Sequence, residues 1–222
     1  EEDLKVAIKL LDIAKGQTHD YLVVDYSNLP KLKTKVEQLA LKKKGIQILV
    51  NNTGGPAGGP IKDATSSEFI AAFNNHLLAN HLLVQTLVPG MQKSNYGRVI
   101  NIISTSVKIP LNGLGVSNTI RGAVASWAKT MANELGAFGI TVNNVLPGAT
   151  ATERLESIIK NKAKKIAKEE AIVAEQMKSV IPMNRFAEPN EIGSFVAFLA
   201  SPAAAYINGT STPVDGGRTG SI

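Results

Sequence analysis

The sequence of 222 residues contains no cysteine, so it holds no disulfide, thiol nucleophile or cysteine metal site. This fits a reducing compartment, and we expect a cytoplasmic protein. Aromatic residues make up only 5% of the chain and do not interleave with its basic runs, which argues against a stacking platform for single-stranded nucleic acid. No apolar run approaches the roughly 20 residues of a membrane-spanning helix. We therefore expect neither nucleic acid nor a membrane as partner.

Positive charge exceeds negative charge, with a formal net charge of +6. Much of the excess lies in two lysine-rich segments, 31–44 and 160–168, which both have helical patterns. We interpret them as solvated helix faces, and a patch for nucleic acid or an acidic ligand is the alternative. The three histidines are scattered along the chain, and without cysteine they do not form a metal-ligand pattern, so we expect no metal site.

Apolar runs alternate with helical patterns along the whole chain. Strands are predicted over 21–25, 46–50, 98–103, 140–146 and 211–214, and helices over 3–15, 29–44, 65–92, 117–135, 152–179 and 191–200. The strands are continuous apolar runs, which is typical of a parallel sheet covered by helices on both faces. We expect one α/β domain over residues 1–222 with three layers, α/β/α, and an excursion at 152–182 that could act as a lid.

The stretch from Ser104 to Arg121 contains the strongest candidate site. Ser104 ends the apolar run GRVINIIS, and a helix predicted to begin near Ser117 carries Arg121 one turn later. Residues four apart face the same side of a helix, so Ser117 and Arg121 should point together. Because α/β proteins bind ligands at the carboxyl ends of their strands, we expect these three side chains at that rim.

Several segments resemble the short-chain dehydrogenase/reductase family in content and order. They are NNTG at 51–54, GRVINIIS at 97–104, TVNNVLPG at 141–148 and STPVDGG at 211–217. The nearest resemblance is to bacterial 3-oxoacyl-[acyl-carrier-protein] reductases. It implies a doubly wound, Rossmann-type parallel sheet, NAD or NADP as cofactor, and a small carbonyl or alcohol substrate. It also implies a homodimer or homotetramer formed through the helices that begin near 65 and 117.

The same resemblance implies a set of cofactor contacts. They are Asp25 at the adenine, Asn52, Thr53 and Gly54 along the ribose, Arg121 at a ribose hydroxyl, and Pro147, Gly148, Thr150 and Thr152 over the nicotinamide and pyrophosphate. Glycines let backbone approach a flat ligand, and short hydroxyls donate to an amide or a phosphate. The alternative for Gly54 and Gly148 is that they only form turns.

The residues at the family's catalytic positions differ from its Asn, Ser, Tyr and Lys. Ser104 matches the serine, but Ser117 stands at the tyrosine position, Arg121 at the lysine position and His76 at the asparagine position. Carbonyl reduction needs a proton donor for the developing alkoxide, and arginine cannot relay a proton because it stays protonated. We therefore hypothesise that His76, or a water ordered by Ser104 and Ser117, donates it. The alternatives are a packed histidine, a helix N-cap at Ser117 and a surface ion pair at Arg121.

The sequence also lacks the family's first strand–helix–strand unit and its glycine-rich turn. Gly16 is the only glycine before Gly45, and no G-x-G-x-x-G occurs there. Without that unit we expect a hole in the sheet beside the strand at 46–50, and poor dinucleotide binding. Because the chain starts at Glu1, we expect about 35 further residues upstream in the natural protein. In this family the same unit contains the residues that select between NAD and NADP.

Together these features predict an NAD(P)-dependent oxidoreductase with an atypical proton donor. The enzyme would transfer a hydride between a small carbonyl compound and the corresponding alcohol. The changed tyrosine and lysine positions leave an alternative open, a non-catalytic member of the fold that binds a ligand or a protein partner.

Overall fold

The computed structural model describes residues 1–43 and 45–220, and within them a four-stranded parallel sheet forms the centre. In spatial order its strands are β1 (Ile48–Asn51), β2 (Gly97–Ile102), β3 (Ile140–Pro147) and β4 (Ser211–Val214). The register places Asn51 opposite Asn101, and Asn101 opposite Asn144. Because the strands are parallel, their carboxyl ends lie along one edge of the sheet.

Helices cover both faces of this sheet. The α-helices of the described residues are α1 (Glu2–Lys9), α2 (Leu29–Lys42), α3 (Ser66–Phe73), α4 (Ala79–Ser94), α5 (Gly115–Leu135), α6 (Glu153–Ile166), α7 (Glu170–Lys178) and α8 (Pro189–Ala200). Val99 and Val142 pack in the apolar cluster formed with α2, α4 and α5, whereas Ile100 and Val145 pack against α8. The alternation of side chains along β2 and β3 thus builds a three-layer α/β fold, as the sequence predicted.

The first predicted strand, at 21–25, does not form. Leu22 and Val24 pack against the same cluster as α2 and α4, but this segment pairs with no strand of the sheet. A strand needs a neighbour for its backbone hydrogen bonds, and within residues 1–43 and 45–220 the one partner of β1 is β2. The four strands that form are contiguous, and β1 lies at the edge of the described sheet with no strand on its other side, where the missing unit was expected to leave a gap. Its Ile48 and Val50 are 43% and 44% exposed.

The first predicted helix is shorter than expected. It ends at Lys9 rather than at Lys15, and none of its residues is buried. Leu10 and Ile13 are 80% and 68% exposed, so the apolar stripe beyond Lys9 has no surface to pack against. Lys44, the last residue of the second predicted helix, lies outside the described residues.

The helix predicted over 65–92 begins as expected but is interrupted. The Thr65 hydroxyl accepts the Glu68 N–H at 3.3 Å, and the Glu68 carboxylate accepts the Thr65 N–H at 2.7 Å, which forms the predicted capping box. A π-helical turn, Asn74–Leu78, then separates α3 from α4. It contains His76, and such turns occur frequently at functional sites.

The helix α5 begins at Gly115 rather than at Ser117. The Gly115 N–H donates to the Gly59 carbonyl at 3.2 Å, and a Cβ on Gly115 would lie 2.4 Å from the Cβ of Ile61. This close approach allows only glycine there and fixes the start of the helix. The N-cap is therefore Leu114, and the alternative that made Ser117 the N-cap is wrong.

The excursion at 152–182 consists of α6 and α7, separated by Ala167 in the left-handed conformation (φ 50°). Leu155, Ile159 and Val173 form the apolar contact between the two helices. Its action as a lid remains a prediction. In the described part of the chain, no helix is long and apolar enough to cross a bilayer.

Candidate functional site

A row of buried asparagines crosses the sheet near the carboxyl ends of its strands. Asn51 Nδ2 donates to Asn101 Oδ1 at 2.8 Å, and Asn101 Nδ2 donates to Asn144 Oδ1 at 2.9 Å. Asn144 Nδ2 continues the row to Ser211 Oγ at 2.9 Å. Because these amides bind one another in a dry interior, the asparagine row fixes the relative positions of the strand ends. The site residues follow directly after those ends.

Thr53 and His76 make the first contact at this edge. The Thr53 hydroxyl shares a hydrogen bond with His76 Nδ1, and the histidine is only 2% exposed. Burial, followed by the nearby Arg121 charge, lowers the pKa of His76 to about 4. His76 is therefore neutral near pH 7 and acts as a polar partner rather than as a cation.

Arg121 supplies the positive charge of the site. Its Nη1 donates to the Ile102 carbonyl at 3.0 Å and its Nη2 donates to the Thr53 carbonyl at 3.2 Å. Arg121 is buried, so the predicted alternative of a surface ion pair is wrong. Burial, followed by repulsion from Arg154, lowers the pKa of Arg121 to about 10. It still carries its charge near pH 7, and it links the end of β1 to the end of β2.

Ser104 and Ser117 lie beside this contact set. Ser104 Oγ accepts the Ser106 N–H at 3.1 Å and caps a short 3-10 turn, Thr105–Val107. Ser117 lies in the first turn of α5, half-buried and one turn before Arg121. Both the 3-10 turn and the π-helical turn contact α5. The structure therefore gathers the four predicted catalytic residues around α5, although within the described residues no hydrogen bond joins Ser104 to Ser117.

The loop after β3 is shaped by its own polar groups. The Gly148 N–H donates to the Val214 carbonyl at 3.0 Å, and a Cβ on Gly148 would lie 2.7 Å from the Cβ of Asp215. Glycine is thus required for the approach of β3 to the residue after β4. The Thr150 hydroxyl donates to the Gly148 carbonyl, and the Thr152 hydroxyl donates to the Thr150 carbonyl.

The remaining predicted cofactor residues differ in their surroundings. Asn52 and Gly54 are exposed after β1, and no atom lies within 4 Å of the position that a Cβ on Gly54 would take. Asp25 accepts the Ser27 N–H and hydroxyl at 2.8 Å each, and these bonds lower the pKa of Asp25. It belongs to a turn ahead of α2. In the described ranges, no hydrogen bond or ion pair links it to the other site residues.

Three residues at this edge were not predicted as site residues, and they are Gly55, Pro56 and Arg154. Arg154 lies in the first turn of α6, and its Nη2 donates to the Pro56 carbonyl at 3.1 Å. Gly55 lies between the two arginines, since a Cβ on it would be 3.5 Å from Arg154 Nη2 and 3.9 Å from Arg121 Nη2. One arginine in a charged helical segment looks like any solvated side chain, so no local signal marks it. Across the residues described, no group of three His, Asp or Glu side chains could hold a metal ion.

Comparison with known sequences identifies relatives over nearly the whole chain. Residues 2–219 match the family model described as enoyl-(acyl carrier protein) reductase. A tropinone reductase homolog of Arabidopsis thaliana is 31% identical over 198 residues, which are 89% of this chain and 59% of that protein. A 3-oxoacyl-[acyl-carrier-protein] reductase of Vibrio cholerae is 30% identical over 204 residues, 91% of this chain and 78% of that protein. The match thus spans less than two thirds of the plant relative's length.

Comparison with solved structures supports the same assignment. YwfH, an NADPH-dependent reductase involved in bacilysin biosynthesis, has a TM-score of 0.90 and 27% identity. The match covers 100% of this chain and 85% of that chain. The family match, the sequence relatives and the shared fold agree, and the chain belongs to the short-chain dehydrogenase/reductase family.

Proposed function

We propose that the protein is an NAD(P)-dependent oxidoreductase that transfers a hydride between a small carbonyl compound and the corresponding alcohol. The observation that carries this proposal is the contact set of Thr53, His76 and Arg121. It ties the end of β1 to the end of β2 and to α5, at the sheet edge where α/β proteins bind their ligands. Membership of a family rich in reductases and dehydrogenases supports it.

The residues after β1 can accommodate a ribose and the adjoining ring of such a cofactor. The open space at Gly54 lets a flat ring approach the backbone, and Arg121 uses two of its five N–H donors in the bonds above. In the bound state the cofactor supplies or accepts the hydride. The residues that would hold it are Asn52, Thr53, Gly54 and Arg121 at a ribose, Pro147, Gly148, Thr150 and Thr152 at the nicotinamide and pyrophosphate, and Asp25 at the adenine. This assignment applies to NAD and NADP alike.

The proton donor in this proposal is a water held by Ser104 and Ser117. His76 is the weaker candidate, because it is almost fully buried, bound to Thr53 and uncharged near pH 7. The two serines are half-buried and can reach a ligand at the edge. Arg121 stabilises the negative charge that develops on the alkoxide oxygen.

Turnover of a ketone panel with NADH and NADPH tests this proposal. We expect Ser104→Ala to lower kcat on the order of 100-fold, because it removes a group that holds the proton donor. We expect His76→Gln to keep kcat within about threefold, and Arg121→Met to abolish activity. Full turnover in Arg121→Met would contradict the proposal. Cofactor binding without reduction of any ketone would instead favour the non-catalytic alternative.

We also infer a cytoplasmic homodimer or homotetramer that assembles through α5 and through the helix predicted from residue 65, which the structure divides into α3 and α4. The cysteine-free sequence supports a reducing location. Apolar side chains on α3 support assembly, since Ile70 and Phe73 are 61% and 40% exposed. Light scattering should give a multiple of the 23.5 kDa chain mass, and a mass of 23.5 kDa at micromolar concentration would contradict assembly.

A further inference from the structure

Two arginine side chains from different helices converge on Gly55. Arg121 reaches it from α5 and Arg154 reaches it from α6, and both Nη2 atoms lie within 4 Å of the position that a Cβ on Gly55 would take. The backbone of Gly55 is not left-handed, so its φ angle does not require glycine. What the missing side chain provides is an open space between two guanidinium groups.

No carboxylate neutralises this pair. Over residues 1–43 and 45–220, neither Arg121 nor Arg154 forms an ion pair, whereas Arg185 binds Glu191 at 2.7 Å. Glu153, the neighbour of Arg154 in the chain, forms none either. Among the described residues both arginines donate to main-chain carbonyls, and the exposed Arg154 uses one of its five N–H groups in this way and keeps the others for a ligand. Two like charges held this close favour an anion between them.

We propose that Arg121 and Arg154 bind an oxyanion group of the substrate, a carboxylate or a phosphate, beside Gly55. Guanidinium groups bind both anions through paired N–H donors, which gives orientation as well as affinity. The inference rests on the proposed function and narrows its substrate to keto or hydroxy compounds that carry such a group. Arg121 is shared with the site described above, so Arg154 is the residue that determines specificity for the anion.

Binding of matched ligand pairs tests the inference without any turnover. Acetoacetate and methyl acetoacetate share a ketone and differ in charge, and dihydroxyacetone phosphate and dihydroxyacetone differ in the same way. By calorimetry we expect the wild-type chain to bind the anionic member of at least one pair about tenfold more tightly. Arg154→Gln should remove most of this preference and leave the neutral members within about twofold.

Three further variants control for charge, geometry and access. Lys160→Gln removes one positive charge from an exposed position on the same helix and should leave the preference unchanged. Arg154→Lys should restore part of it, because lysine keeps the charge without the paired donors. Gly55→Ala should reduce it with both arginines in place, because the methyl group occupies the space between them. Thermal unfolding of each variant shows that it is folded.

Two results would overturn the inference. One is an equal anion preference in the wild type and in Arg154→Gln. The other is that Arg154→Gln weakens the binding of NADH and NADPH but not that of the anionic test ligands, which would assign the arginines to cofactor phosphates. Failure of the proposed function has a different signature. An Arg154-dependent anion preference, with no reduction of any ketone, supports the anion site and contradicts the oxidoreductase.

Discussion

The central strands β2 and β3 and the segment at 21–25 are all apolar runs, yet only the central strands form. Each central strand has a hydrogen-bonded neighbour on both sides and an apolar cluster on both faces. The segment at 21–25 packs through Leu22 and Val24 alone, and Val23 is 41% exposed. A buried backbone group without a partner costs about 1–3 kcal/mol, so the segment keeps its backbone near water. Apolar composition favours a strand, but strand neighbours decide whether it forms.

Polar side chains also have more hydrogen-bond partners in and beside the sheet than in the segment at 21–25. The amides of the asparagine row hydrogen-bond one another inside the sheet, and the Thr53 hydroxyl hydrogen-bonds the buried His76 at the edge of the sheet. In the segment, Asp25 is exposed, and among the described residues its carboxylate accepts hydrogen bonds from the near neighbour Ser27 alone. We therefore expect stability to be concentrated in the sheet and its buried polar groups.

Breaking the asparagine row should have the largest effect. Asn101→Leu leaves the Asn51 amide N–H and the Asn144 amide oxygen buried without their partners. We expect the free energy of unfolding in urea to fall by about 3 kcal/mol. The control is Asn52→Leu on the exposed loop after β1, which should stay within about 0.5 kcal/mol. Equal losses in the two variants would show that the row does not hold the strands together.

Removing two methyl groups from each region compares their packing directly. Val142→Ala, at a position that is 0% exposed in β3, should lower the free energy of unfolding by about 2–3 kcal/mol through lost transfer energy and a cavity. Val24→Ala in the segment should lower it by less than about 1 kcal/mol, because this side chain is only partly buried. If Val24→Ala has the larger effect, the segment is a structural part of the core.

The approximate positions of the four strands that form could be predicted from the sequence because their signals are local. The strand at 211–214 is bounded by turn residues and forms at the predicted positions, and the strand at 98–103 shifts by one residue. The position of Arg121 near Ser104 also followed from helix spacing and from the shared edge of a parallel sheet. These features need no knowledge of distant contacts.

What could not be predicted depends on residues far apart in the chain. The start of α5 is fixed by the contact of Gly115 with Ile61, and the π-helical turn lies within an ordinary helical pattern. Arg154 belongs to the site only because α6 folds back toward the loop after β1. The protonation state of His76 depends on a burial that its helical position does not reveal.

Protonation of His76 should lower the stability of the fold at acidic pH. Its pKa in the folded chain is about 4, below the ordinary value of 6.5, so the unfolded chain binds the proton first as the pH falls. The contribution of neutral His76 to the free energy of unfolding is complete above pH 6.5 and is lost between pH 6.5 and pH 4. We expect it to amount to about 1–2 kcal/mol after allowance for solvent screening.

The matched variants for this prediction are His76→Gln and His81→Gln. Urea unfolding of His76→Gln should lose less stability than the wild type between pH 6.5 and pH 4. His81→Gln changes a half-buried histidine that accepts the Trp127 indole N–H at 3.3 Å, and it should keep the wild-type decline. A decline that is the same in all three chains would remove His76 as its source.

The smallest effect should come from the free face of the edge strand. Val50→Thr in β1 changes a side chain that is 44% exposed, so its new hydroxyl can bind water, and we expect a loss below about 0.5 kcal/mol. Val99→Thr in β2 places the same hydroxyl where the side chain is 0% exposed, and it should cost about 1–3 kcal/mol. The comparison is measured by urea unfolding of both variants across a range of protein concentrations. A large, concentration-dependent loss in Val50→Thr would mean that a second copy covers β1 in solution, because only association makes the cost of that hydroxyl depend on concentration.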